Sequence, residues 1–156
     1  MIILAVIVII LGFWFFLISP ALRKHPDSEL CKNMYVAHRG FHNKEKGIPE
    51  NSLAAFTAAM DNGYAIEIDI HTTKDGEVVI FHDDTTDRMC GVSGVIEQMT
   101  LEELKRLSLG DTNEKIPTLS ELLEICRHDT VLVIEYKCTP NNYKILCEKA
   151  DEILSK

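Results

Sequence analysis

The chain opens on an apolar run. Ile2 to Ile18 holds no charged side chain and is interrupted only by Gly12. A helix over these positions would span roughly 25 Å at ~1.5 Å per residue, near the lower limit for crossing a bilayer. Trp14, Phe13, Phe15 and Phe16 gather toward its end, as aromatic side chains do at a membrane interface. Pro20 ends the helix. A secretory signal would show a basic start, a shorter apolar core and a small-residue cleavage site, and none is evident. A buried core helix is the other reading of such a run. The pattern favours an uncleaved, single-pass transmembrane anchor over residues 1–19 and a polar linker over 20–33. Arg23 and Lys24 follow the span, so the positive-inside rule predicts a cytoplasmic location for the remainder.

From residue 34 to 156 the pattern becomes that of a folded domain. Tyr35–His38 reads as a first strand. A helix follows from Asn51 to Asp61, with Leu53, Phe56 and Met60 on one stripe, Asn51 or Ser52 as its cap, and Asn62-Gly63 as its stop. Ala65–His71 and Glu77–His82 read as strands joined through Lys74-Asp75-Gly76, an Asp-Gly hairpin signal. Thr100 with Glu103 and Thr118 with Glu121 have the spacing of capping boxes and predict two helix starts. Val131–Tyr136 is a β-branched strand. Residues 141–154 predict a last helix with Tyr143, Leu146, Cys147, Ala150 and Leu154 on one side. Strands alternating with helices point to an α/β fold.

Composition narrows the field. Hydrophobic residues at 46% and charged residues at 26% are globular usage and exclude a disordered chain. The net charge of −8 argues against a nucleic-acid partner, which requires basic density. The five cysteines are odd in number and form no Cys-x-x-Cys. That pattern predicts inert free thiols in a reducing compartment and no thiolate zinc site.

Chemistry enters through the strands, whose side chains alternate faces. Ile66, Ile68 and Ile70 share one face, and Glu67, Asp69 and His71 the other. A solvated face would explain the second set. A two-residue Asp75-Gly76 turn, however, would set Asp69 opposite His82 and Glu67 opposite Asp84, with Val78 and Ile80 on the same face. Val131, Val133, Glu135 and Lys137 likewise share a face, an apolar run ending in charge, as in a barrel strand with chemistry at its C-terminal end. His38-Arg39-Gly40 closes the first strand. If these ends meet, Glu67, Asp69 and Glu135 repel one another unless a cation or a proton intervenes. Oxygen-only ligands favour Mg²⁺ or Ca²⁺. Arg39 and Lys137 would draw an anionic substrate, and His38 and His82 could exchange protons near neutral pH. Asp83 and Asp84 read as the start of a loop, although Asp83 could also orient His82; His71 and His25 read as structural or solvated. Together these groups describe phosphoester cleavage.

His38-Arg39-Gly40, Pro49-Glu50-Asn51-Ser52 with Ala55-Phe56, Glu67-Ile68-Asp69, Thr73-Lys74-Asp75-Gly76, His82-Asp83 and Ile134-Glu135-Tyr136-Lys137, in this order, resemble the glycerophosphodiester phosphodiesterase family. The resemblance implies Glu67, Asp69 and Glu135 as ligands of a divalent metal, His38 and His82 as the acid–base pair, Arg39 and Lys137 as phosphate contacts, and Glu50 in support. It implies hydrolysis of glycerophosphodiesters to glycerol 3-phosphate and an alcohol, with lysophospholipids as further substrates of membrane-borne relatives. The implied fold is a TIM-type (β/α) barrel, which runs to at least ~200 residues. The expectation is therefore an incomplete barrel, about its first half, behind one transmembrane helix, with residues 34–156 as a truncated domain. Its uncovered edges imply either a truncated gene product or a chain that pairs with a second copy or a complementing fragment. A non-catalytic, membrane-anchored module that binds phosphoesters or a partner is the alternative.

Overall fold

The computed structural model describes residues 2–19 and 32–155, in two units, Met1–Lys32 and Asn33–Lys156. Among its described residues the first unit holds one helix, α1 (Ile2–Ile18), apolar throughout, with exposed side chains from Leu4 onward. Among the described residues no helix is long and apolar enough to cross a membrane. The expected transmembrane anchor is thus unsupported: the 17 residues of α1 fall short of the ~30 Å hydrocarbon layer at ~1.5 Å each. The expected linker, with Arg23 and Lys24, lies outside the described residues up to residue 31.

The second unit interleaves strands and helices, with one β-hairpin and one run of three short helices: β1 (Val36–Ala37), α2 (Leu53–Asp61), β2 (Ala65–Thr72), β3 (Val78–Ile80), α3 (Asp87–Cys90), α4 (Leu101–Arg106), α5 (Leu119–Ile125), β4 (Leu132–Tyr136) and α6 (Tyr143–Leu154). β2 is central in a four-stranded sheet. It pairs in parallel with β1 and β4 and antiparallel with β3. Parallel pairing brings the C-terminal ends of β1, β2 and β4 to the same end of the sheet. The even-numbered face of β2 (Ile66, Ile68, Ile70) packs with Val78 and Ile80, and beneath α2, α5 and α6 through Phe56, Leu122 and Leu146. The odd-numbered face carries Glu67, Asp69 and His71. Its far end is closed by a second cluster of Val79, Phe81, Ile96, Leu104, Leu109 and Ile116.

Local chemistry fixes the helix starts. Ser52 caps α2 by accepting from the Ala55 amide. Both capping boxes form, Thr100 with Glu103 at α4 and Thr118 with Glu121 at α5. Along α6 only Leu146 and Ala150 are fully buried; Tyr143, Cys147 and Leu154, expected beside them, are exposed.

The hairpin departs from expectation by one residue. Ile70 pairs with Ile80 and His71 with Val79, and the Phe81 amide donates to the Asp69 carbonyl at 2.9 Å. Asp69 is therefore opposite Phe81, not His82. The turn has three residues: the Thr73 amide donates to Glu77, and Gly76 takes a left-handed φ of 83°. A slip of one residue exchanges faces. Val78 and Ile80 accordingly join the helix-covered core, and Val79 and Phe81 take the carboxylate face.

Candidate active site

β2 and β4 build the centre of the site. Their parallel register sets Asp69 beside Glu135 and Glu67 beside Val133. Glu67, Asp69 and Glu135 each offer an oxygen, and the three lie within 4.8 Å of one another. Asp69 is fully buried and Glu135 exposed, so the cluster opens outward. All donors are carboxylate oxygens, the set that suits a hard divalent cation. Lys137 follows β4 and extends its ladder, its amide donating to the Ile70 carbonyl at 3.0 Å. Its ammonium is 2.9 Å from Asp69 Oδ1 and 2.5 Å from Glu135 Oε1. Burial alone would depress the Lys137 pKa, but the two carboxylates outweigh it and raise it.

The turn after β1 supplies the next layer. Gly40 has a φ of 79°, and a Cβ there would sit 2.8 Å from Ala55 Cβ. This close approach seats the turn on α2. Arg39 also takes a left-handed backbone, with φ 56°. Its amide donates to Glu67 Oε2 at 2.8 Å, Nη1 donates to Glu50 Oε1 at 2.9 Å, and Nε lies 3.6 Å from Asp69 Oδ2. Asn51, left-handed and buried, donates from Nδ2 to Asp69 Oδ2 at 3.0 Å. Burial would raise the Asp69 carboxyl, yet Lys137 and Asn51 hold it below the usual aspartate value. His38, expected beside these groups, is an exposed residue directly after β1.

His82 lies beyond β3, with its side chain one-third exposed. A protonated His82 would be near enough to Asp69 to favour that carboxylate. Its Nδ1 is 2.7 Å from Asp83 Oδ1, consistent with an orienting role for Asp83. Three further residues were not assigned to the site from the sequence. Asn51 holds a carboxylate. Arg88, on α3, bridges Glu50 and Asp83. His71, read as structural, is buried on the carboxylate face with Nε2 3.5 Å from the His82 carbonyl and Nδ1 unpartnered. Burial depresses its pKa. Period-two alternation already set His71 beside Glu67 and Asp69; nothing local marked Arg88. Among the cysteines, the half-buried Cys90 has its thiol pushed up to about 11 by burial, which accords with inertness.

This arrangement gathers carboxylates and two cationic side chains along the parallel strands β1, β2 and β4 and the turns that follow them, where α/β proteins build their sites, and His82 joins them from the end of the antiparallel β3. The glycerophosphoryl diester phosphodiesterase family model matches residues 38–156. A glycerophosphodiester phosphodiesterase of Caldanaerobacter subterraneus is 42% identical over 114 residues, covering 68% of this chain and 46% of the relative. A phosphodiesterase of Oleispira antarctica, solved in complex with the product sn-glycerol-3-phosphate, superposes with a TM-score of 0.70 at 32% identity. That match covers 79% of this chain and 52% of the relative. A glycerophosphoryl diester phosphodiesterase of Parabacteroides distasonis gives 0.66 at 33% identity, covering 78% and 42%. The chain thus spans about half the length of the relatives it matches. The family model reaches from the His38 turn through β4 and α6, and the backbone agrees with these solved relatives over more than three quarters of the chain: the chain belongs to the glycerophosphoryl diester phosphodiesterase family.

Proposed function

We propose that the chain carries the metal and phosphate centre of a glycerophosphodiester phosphodiesterase, cleaving glycerophosphodiesters to glycerol 3-phosphate and an alcohol. The convergence of Glu67, Asp69 and Glu135 within 4.8 Å carries this reading. These three would hold Mg²⁺ or Ca²⁺, and the ion, when bound, would supply Lewis-acid stabilisation of charge on the phosphoryl oxygens. The rest of the chemistry belongs to the chain. Arg39 and Lys137 bind the phosphate, Arg39 held at its far side by Glu50 so that its fork stays aimed. His38 and His82 act as the acid–base pair. One withdraws a proton from the attacking water, whose oxygen forms the new P–O bond, and the other protonates the departing alkoxide as the ester P–O bond breaks. Asp83 accepts from His82 Nδ1, leaving Nε2 for proton transfer.

The test is hydrolysis of glycerophosphocholine by the full chain with Mg²⁺ or Ca²⁺, compared with His38→Ala, His82→Ala and Glu67→Ala. Turnover in the native chain and its loss in all three variants is expected; equal turnover in all four would reject the assigned roles. Stabilisation by glycerophosphocholine without product would instead identify a non-catalytic phosphoester-binding module. The apolar, exposed α1 adds lipid association to this reading and would bring the site toward lysophospholipid substrates. Co-flotation of the chain with phosphatidylcholine vesicles is expected, and its persistence after removal of residues 2–18 would exclude α1 as the cause.

A further inference from the structure

We propose that Arg88 is a positioning residue that orients His82 and couples it to the Arg39–Glu50 clamp. The inference rests on the reading of His82 as an acid–base group. Arg88 uses all three guanidinium nitrogens on two carboxylates that are distant in sequence. Nε donates to Asp83 Oδ2 at 2.6 Å and Nη2 to Asp83 Oδ1 at 3.1 Å. Nη2 also donates to Glu50 Oε1 at 2.6 Å, and Nη1 to Glu50 Oε2 at 3.2 Å. Glu50 Oε1 in turn accepts from Arg39. Charge therefore alternates along one line, Arg39, Glu50, Arg88, Asp83, ending on the His82 ring.

The line matters because of what Asp83 does. A carboxylate only accepts, so its contact with His82 Nδ1 fixes the proton on that nitrogen and leaves Nε2 free. Among the described residues, Arg88 is the cation that ion-pairs with Asp83, and the His82 ring is its other side-chain partner. Without Arg88, a carboxylate on a partly open loop would reorient toward water, and the ring would lose its fixed tautomer. A purely structural role fits less well. The Arg88 side chain is 48% exposed, and ion pairs at such sites add little to stability. A lysine could not reproduce the bridge, since an ammonium lacks the planar fork that engages two carboxylates together.

The tautomer is read by ¹⁵N NMR of the histidine-labelled, metal-free full chain above the imidazole titration range, with the His82 signal identified by its absence in His82→Gln. A single Nδ1–H tautomer is expected in the native chain. Arg88→Gln is expected to average the two nitrogens of His82 while the other histidines keep their signals, with Arg88→Lys between the two. In parallel, kcat on glycerophosphocholine is expected to fall about 10–100-fold in Arg88→Gln with little change in KM, the usual consequence of losing an orienting partner. An unaltered His82 tautomer in Arg88→Gln, or a native His82 without Nδ1–H, overturns the proposal. Collapse of every histidine signal in both Arg88 variants also overturns it, because the bridge would then serve the fold. A native chain without turnover sinks the functional reading alone, since the tautomer is read without catalysis.

Discussion

Asn51 shows how one residue joins backbone and site. Its φ of 52° lies where a β-carbon is unwelcome, and its side chain donates to the buried Asp69. Asn51→Ala should cost about 2–4 kcal/mol, combining a lost bond to a charged acceptor with a strained backbone. Asn51→Gly relieves the backbone and loses only the bond, so its urea midpoint should fall between native and Ala; an Ala variant as stable as Gly would remove the backbone part of the account. The arginine-bridged carboxyls make a pH prediction. For Glu50, burial would raise the pKa, and hydrogen bonds from Arg88 and Arg39 outweigh it and lower it. For Asp83, the hydrogen bond from Arg88 leads and lowers it. A carboxyl depressed in the folded state contributes fully above the unfolded value of about 4 and loses that contribution as pH falls through the folded value. The stability gap between the native chain and Glu50→Gln should therefore be open at pH 7 and narrow at pH 3 by urea unfolding. A gap that widens in acid would contradict the sign.

Among the elements, those governed by local chemistry were legible from the sequence. Thr100, Thr118 and Ser52 mark helix starts because a side-chain oxygen three residues ahead of an amide has one obvious use. The hairpin register was not legible, since an Asp-Gly pair serves a two-residue turn and a three-residue turn alike. Tertiary contacts chose between them: the Asp75 carboxylate accepts from the Leu101 amide at 3.0 Å, and the Lys74 amide donates to the Met99 carbonyl at 2.9 Å. The turn is thereby fastened to the start of α4, and Gly76 is left in the left-handed position. Gly76→Ala should cost about 1–2 kcal/mol, and Gly76→Asn less, because asparagine tolerates that region. Thr118→Ala should cost about 1 kcal/mol through loss of the α5 cap. Equal unfolding midpoints for the two Gly76 variants would mean that backbone strain does not govern the turn.

At the scale of the molecule, the convergence of the candidate residues was legible wherever they stand on or directly after strands. Arg39, Glu67, Asp69, Glu135 and Lys137 each close or line a strand, and parallel pairing alone brings them together. Arg88 escaped because its partner Glu50 is 38 residues away and α3 has no periodicity to announce it. The assembled centre is short of positive charge. Three carboxylates share the Lys137 ammonium, which touches two of them, and an Arg39 already engaged by Glu50. A divalent cation entering the cluster must therefore compete with Lys137 for Asp69 and Glu135. On the proposed roles, this competition should give binding and turnover opposite signs in one variant. Lys137→Met removes the competitor and should tighten Mg²⁺ or Ca²⁺ binding in a calorimetric titration, while turnover of glycerophosphocholine falls because the phosphate loses a cation. Glu135→Gln should weaken both. In the native chain, metal at about 100 times its dissociation constant should add ~2.7 kcal/mol to unfolding stability, and Glu135→Gln should lose most of that gain. If Lys137→Met bound metal more weakly than the native chain, the ammonium would be a partner of the bound ion's site and not its rival.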